Sequence, residues 1–314
     1  MKYAMLFPGQ GSQAVGMMAA LAAAHPEVGA TFDEASRVLG WDLARLVREG
    51  PAEELNKTER TQPALLAAGI AAWRVWQAQK APAPAAVAGH SLGEYTALVA
   101  AGSLAFGEAL KVVELRGQLM QQAVPAGAGG MLAVIGLDDA AVEKFCAGYG
   151  GDGVLEPVNY NAPAQVVLAG STPALDWAEG HAKAAGARMV VRLPVSVPSH
   201  CSLMRGAADK LAERLAQATI HKPAIPVLHN LDAMARSSPD EIRAALKDQL
   251  FRPVRWSQTV QALVQDGVAA FVECGPGRVL MGLNKRIAGK MPGFALEDPA
   301  AVPAALKQVG EQGA

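Results

Sequence analysis

Cysteine is scarce and scattered: Cys146, Cys201 and Cys274 are the only three among 314 residues. An odd, widely spaced set forms neither a disulfide framework nor a metal-ligand cluster, and reads as free thiols in a reducing cytosol. Charge is also sparse. Lys, Arg, Asp and Glu make up 18% of the chain and nearly cancel, with a formal net charge of −1. Neither a basic stripe for nucleic acid nor a Lys/Arg block for an anionic membrane is present, so neither partner is expected. Long apolar runs are missing as well. The longest, Ala64 to Trp73, is well short of the roughly 18–20 residues that span a bilayer. The opening run Met1 to Phe7 meets Pro8-Gly9 too soon for a signal-peptide core and has no small-residue cleavage site. No internal repeat or low-complexity tract stands out. What remains is 51% hydrophobic, the balance of a folded cytoplasmic enzyme.

Patterning divides the chain. Tyr3 to Phe7 reads as a buried strand, and Met17 to Ala24 and Val28 to Leu39 as helices. Gln62-Pro63 opens an apolar helix to about Gln79, and Leu104 to Gln122 reads as another. From Met131 the order changes to strand (131–135), helix (138–147), strand (154–160), a turn at Asn161-Ala162-Pro163, strand (165–168), helix (173–185) and strand (188–193). That βαββαβ order is the ferredoxin-like unit. The expected fold class is therefore α/β: a large α/β-hydrolase-like domain, residues 1–125 and 197–314, interrupted by a small ferredoxin-like subdomain, residues 126–196.

The chemistry centres on Gly89-His90-Ser91-Leu92-Gly93, placed between a short strand (85–88) and a helix (94–101). Gly-x-Ser-x-Gly in that setting is the nucleophile elbow, a sharp turn that exposes the serine Oγ at the start of a helix. It points to an enzyme that carries acyl groups as esters of Ser91, and the Leu92 N–H falls where one oxyanion donor belongs. A serine needs a base. Of the six histidines, His200 lies where the insertion returns to the main domain, although position alone leaves the choice open. Arg116 lies mid-face among Val112, Val113, Leu119 and Met120 of the 104–122 helix. It needs a buried acidic partner, a route to the surface, or an anionic ligand. Gly9-Gln10-Gly11-Ser12-Gln13-Ala14 fits a dinucleotide fingerprint with Asp33 downstream, but Asp33 falls inside a helical pattern rather than after a second strand.

Six strings carry a wider resemblance. They are Phe7 to Gln13, Gly89 to Tyr95, Val158 to Pro163, Val197 to Cys201, Gln249 to Trp256 and Glu273 to Gly277. In this order they closely resemble the malonyl-CoA:acyl carrier protein transacylases over nearly the whole chain. The resemblance implies transfer of malonyl from malonyl-CoA to the phosphopantetheine thiol of acyl carrier protein, through a Ser91 ester, in fatty acid biosynthesis. It implies His200 as base, oriented by the backbone carbonyl of Gln249 rather than by a carboxylate. It assigns the second oxyanion donor to the Gln10 backbone and the malonyl carboxylate to Arg116. Asn159 and Asn161 lie in a further signature, as turn residues before Pro163 or as substrate contacts. No cofactor or metal is implied, and the family's members often act as monomers. A thioesterase, a trans-acting polyketide acyltransferase and a non-catalytic carrier-binding scaffold are the alternatives. In modular polyketide acyltransferases the residues before the histidine help sort donors. Pro198-Ser199 departs from their malonyl-selective form and matches stand-alone fatty-acid enzymes. An ordinary histidine base would make the rate fall through a pKa in the region of 6–7.

Overall fold

A computed structural model describes residues 1–195 and 197–310. The expected domain border at residue 196 and residues 311–314 lie outside the described residues. Among the described residues, the strands in chain order are β1 (Tyr3–Phe7), β2 (Ala86–Gly89), β3 (Gly129–Ile135), β4 (Leu155–Ala162), β5 (Gln165–Ser171), β6 (Met189–Arg192), β7 (Val227–Leu228), β8 (Ala270–Glu273) and β9 (Gly293–Ala295).

Two sheets result. The larger is wholly parallel, in the order β7-β2-β1-β8-β9. Its central strands β1, β2 and β8 are buried along their whole length, as parallel strands covered on both faces must be. That explains their unbroken apolar character, with no alternation. The smaller sheet is antiparallel, in the order β4-β5-β3-β6. Helices Asp139–Ala147 and Thr172–His181 complete a βαββαβ unit with its own core around Leu132, Val166, Leu168 and Leu175. The chain is thus a mixed α/β fold with a large parallel-sheet domain and a small antiparallel insert. Main-chain bonds join the two parts: Tyr160 N–H donates to Val254 O at 2.9 Å and Val254 N–H to Val158 O at 2.8 Å.

Several element boundaries differ from the sequence reading. The apolar helix begins at Thr58, not Gln62, so Pro63 lies inside Thr58–Ala78. Proline there forgoes one helical bond, a loss that burial of nearly every face of this helix offsets. The Leu104 helix begins at Phe106. Strand β4 runs on through Asn161 to Ala162 because its pairing with β5 extends to a tight turn at residues 163–164, and β5 runs on to Ser171 because it pairs with β3 as far as Gly129. Asn161 is therefore a strand residue. No described helix is long and apolar enough to cross a membrane.

Candidate active site

Open parallel sheets gather function beyond the carboxyl ends of their strands, and here the ends of β1 and β2 do so. β2 ends at Gly89, and helix Gly93–Ala100 starts four residues later. Glycine is needed at both positions because of close approach. A Cβ on Gly89 would overlap the Gly93 carbonyl, and one on Gly93 would overlap the Phe7 carbonyl oxygen of β1. Between them Ser91 is held at φ 51°, a left-handed conformation that a serine adopts at a cost of about 1–3 kcal/mol. Asn230 Oδ1 accepts the Ser91 N–H at 2.7 Å and offsets part of that strain.

The Ser91 Oγ lies 2.7 Å from His200 Nε2, and His200 Nδ1 lies 2.7 Å from the Gln249 carbonyl oxygen. A carbonyl can only accept, so Nδ1 carries the proton and Nε2 is left to accept from the serine. No carboxylate takes part in this pair of bonds. His200 is itself left-handed, at φ 66°, and buried. Burial pushes its pKa down to about 3, and the neighbouring Arg116 acts in the same direction; the bond to Gln249 opposes them and His90 adds a smaller depression. The expectation of an ordinary histidine pKa near 6–7 is corrected accordingly. It treated the ring as solvated, whereas the ring is enclosed beside a guanidinium.

Arg116 resolves the question that its helix position posed. It is 1% exposed, so it does not reach the surface, and it forms no ion pair among the described residues. Its partners are neutral. One terminal nitrogen donates to Gln62 Oε1 at 2.8 Å, and the other donates to Gln249 Oε1 at 3.0 Å and approaches Ser91 Oγ at 3.4 Å. The Tyr95 ring lies 5.5 Å from the guanidinium carbon. Burial lowers the arginine pKa, but a guanidinium stays charged. A positive charge buried against neutral amides beside a serine hydroxyl is able to pair with a carboxylate.

One cleft is lined by Gln10, Ser91, Leu92, Arg116, Asn159 and His200. The backbone N–H groups of Gln10 and Leu92 have no acceptor among the described residues, and both residues line the cleft that holds the serine. Asn159 lines the same cleft, and its buried Oδ1 has no partner among the described residues. Asn161 does not line it. Its Oδ1 lies 2.8 Å from Nε2 of His90, the elbow residue before Ser91. Asp33 sits mid-helix in Pro26–Leu39, as its pattern suggested. No group of three His, Cys, Asp or Glu side chains is placed to hold a metal ion among the described residues.

Sequence reasoning did not single out Gln62, Glu94, His229 or Asn230, nor the side chain of Gln249. All five are buried polar residues within 3.5 Å of one another's network or of Ser91 and Arg116. Glu94 carried a usable signal, a carboxylate in the otherwise apolar helix Gly93–Ala100. Asn230, 139 residues from Ser91, carried none.

Relatives of known structure share this architecture. Residues 4–290 match the family model described as acyl transferase domain. The malonyl CoA-acyl carrier protein transacylase of Salmonella typhimurium (strain LT2) is 53% identical over 307 residues, 98% of this chain and 99% of that protein. The chain belongs to the malonyl CoA-acyl carrier protein transacylase family. Among solved family members, a malonyl-transacylase in complex with its type II PKS acyl-carrier protein superposes with a TM-score of 0.96. It is 51% identical, covering 98% of this chain and 100% of that one. The acyl carrier protein S-malonyltransferase of Vibrio cholerae O1 biovar eltor gives a TM-score of 0.94 at 54% identity, covering 97% and 100%. This family member thus shares its relatives' fold along almost its full length.

Proposed function

We propose that the protein transfers malonyl from malonyl-CoA to the phosphopantetheine thiol of acyl carrier protein, in the cytoplasm and in the service of fatty acid biosynthesis. The division of labour we infer assigns Ser91, Arg116, His200 and Gln249 to the large domain, residues 1–125 and 197–314. The small subdomain, residues 126–196, contributes Asn159 and the wall formed by Met131, Leu193 and Val195.

His200 Nε2 takes the Ser91 hydroxyl proton as Oγ attacks the thioester carbonyl. The negative charge on the carbonyl oxygen falls between the Leu92 and Gln10 N–H groups, each such donor being worth about 10²–10³ in rate. Collapse breaks the C–S bond. The leaving CoA sulfur takes the proton from His200, and a malonyl ester remains on Ser91. In the second half the pantetheine thiol gives its proton to His200 and attacks the ester, and the proton returns to Ser91 Oγ. A neutral carbonyl stabilises imidazolium less than a carboxylate would, which a thioester tolerates because it is an activated donor. Asn159 Oδ1 is suited to receive a donor from the substrate.

The observation that carries this reading is the buried Arg116 guanidinium beside Ser91, held only by neutral acceptors. Intact-mass measurement after mixing with malonyl-CoA tests it. The expected result is a malonyl adduct, absent in Ser91→Ala, that acyl carrier protein discharges as malonyl-carrier. Release of free malonate instead would make the enzyme a hydrolase. Arg116→Ala should lose about 10- to 150-fold in malonyl transfer, the worth of one charged hydrogen bond, while gaining relative use of acetyl-CoA. Unchanged acyl preference would remove Arg116 from the substrate site.

A further inference from the structure

Glu94 lies in the first turn of helix Gly93–Ala100, three residues after Ser91, and has no exposed surface. A buried carboxylate persists only where donors fill its lone pairs. Here Oε1 accepts from His229 Nδ1 at 2.7 Å, and Oε2 accepts from the Asn230 backbone N–H at 2.9 Å and from Gln249 Nε2 at 3.1 Å. Asn230 and Gln249 in turn grip the Ser91 peptide from both sides. Asn230 Oδ1 accepts the Ser91 N–H at 2.7 Å while its Nδ2 donates to Gly89 O at 2.7 Å. Gln249 Nε2 also donates to Ser91 O at 2.8 Å.

The Gln249 amide is consequently polarised in one sense. Its NH2 is drawn toward Glu94 and Ser91 O, so Oε1 faces the other way and accepts from Arg116 at 3.0 Å. Were the amide turned over, its NH2 would confront the guanidinium, donor against donor. His229 matters because it occupies Oε1 and thereby keeps Oε2 on the two amides.

We propose that Glu94, held by His229, is the positioning residue that sets both the strained Ser91 peptide and the orientation of Arg116, and so couples nucleophile geometry to acyl selectivity. The inference rests on the reading of Arg116 as the malonyl receptor. Glu94 touches neither substrate nor Ser91 Oγ; it acts through Asn230 and Gln249.

The chemistry of the donors chooses the variants. Glu94→Gln keeps an acceptor toward Asn230 and Gln249, because His229 can exchange tautomers and accept the new NH2 at Nδ1. Glu94→Met keeps the length and offers no acceptor. The readout is the ratio of kcat/KM for malonyl-CoA to that for acetyl-CoA. A residue that merely maintains the fold would change the amount of active enzyme and leave this ratio alone. The expected result is a fall in the ratio of about 10-fold or more in Glu94→Met, with Glu94→Gln within about threefold of wild type. A wild-type ratio in Glu94→Met would overturn the proposal. If Glu94→Met does not fold, His229 decides. His229→Asn, which can place Nδ2 where Nδ1 lies, should preserve the ratio and His229→Leu should lower it; equal ratios would overturn the proposal. A wild-type enzyme that forms no malonyl adduct would fail the function itself, whereas an adduct with unmoved ratios would fail this inference alone.

Discussion

Protonating His200 would set a second positive charge beside Arg116 in an enclosed pocket, and burial alone already disfavours that charge. The imidazole therefore stays neutral, and ready to accept the Ser91 proton, far into the acid range. Since kcat/KM reports the free enzyme, it should stay level for malonyl-CoA as pH is lowered from about 8 to about 5. A decline centred between about pH 6 and 7 would show instead that solvent reaches the ring. At this scale Ser91 was legible as a serine between glycines on an elbow, whereas position alone left His200 open and left Arg116 with three possible partners, and the family resemblance assigned both roles. Asn161 was only half legible. Whether it served a turn or a ligand depended on where β4 ended, and the strand carries it to His90 instead.

The elbow is an element-level device, a strand and a helix brought so close that side chains are excluded at both ends of the turn. A Cβ on Gly93 would strike the backbone of β1, which cannot swing aside as a side chain could. Gly93→Ala is expected to cost at least about 2 kcal/mol by urea unfolding, in the range of overpacked cores, and to lower activity further. Gly29→Ala supplies the comparison. It lies on the exposed face of helix Pro26–Leu39 with nothing within 4 Å of the added Cβ, so it should stabilise by about 0.5–1 kcal/mol. Equal effects from the two would show that the elbow yields to accommodate a methyl group. Boundaries were harder to read than elements. Thr58–Ala78 starts ahead of its proline because tertiary burial, not local preference, decides its first turn.

Across the whole molecule, buried ionisable groups make stability depend on pH in opposing ways. Glu273, at the end of β8, accepts the N–H groups of Leu280 and Met281 at 3.0 and 2.9 Å and so holds the start of helix Val279–Ala288. Burial nevertheless raises its pKa from 4.5 to about 7. The folded state therefore binds a proton that the unfolded state releases. Its contribution is complete below pH 4.5 and is lost as pH rises through about 7. His200 runs the other way: its contribution is present above pH 6.5 and is lost as pH falls toward about 3. Thermal melting should show Glu273→Gln losing less stability than wild type between about pH 5 and about pH 8. Parallel curves for the two proteins would mean that Glu273 is ionised in the fold throughout.

The amino-acid sequence by itself determined the fold class, the two-part organisation and the placing of Ser91 on an elbow. Unbroken apolar strands, helical periodicity and paired glycines are local consequences of covalent geometry and burial, so they are written along the chain. Only the tertiary structure decided how the elbow is held and how its arginine is held by neutral amides rather than by a carboxylate. Those outcomes depend on hydrogen bonds between residues as far apart as Ser91 and Gln249, or Gln62 and Arg116, whose directions are set by how the helices and loops of the large domain pack together. The serine elbow is legible in five consecutive residues, whereas the amides that orient it meet only after the parallel sheet and its helices have assembled.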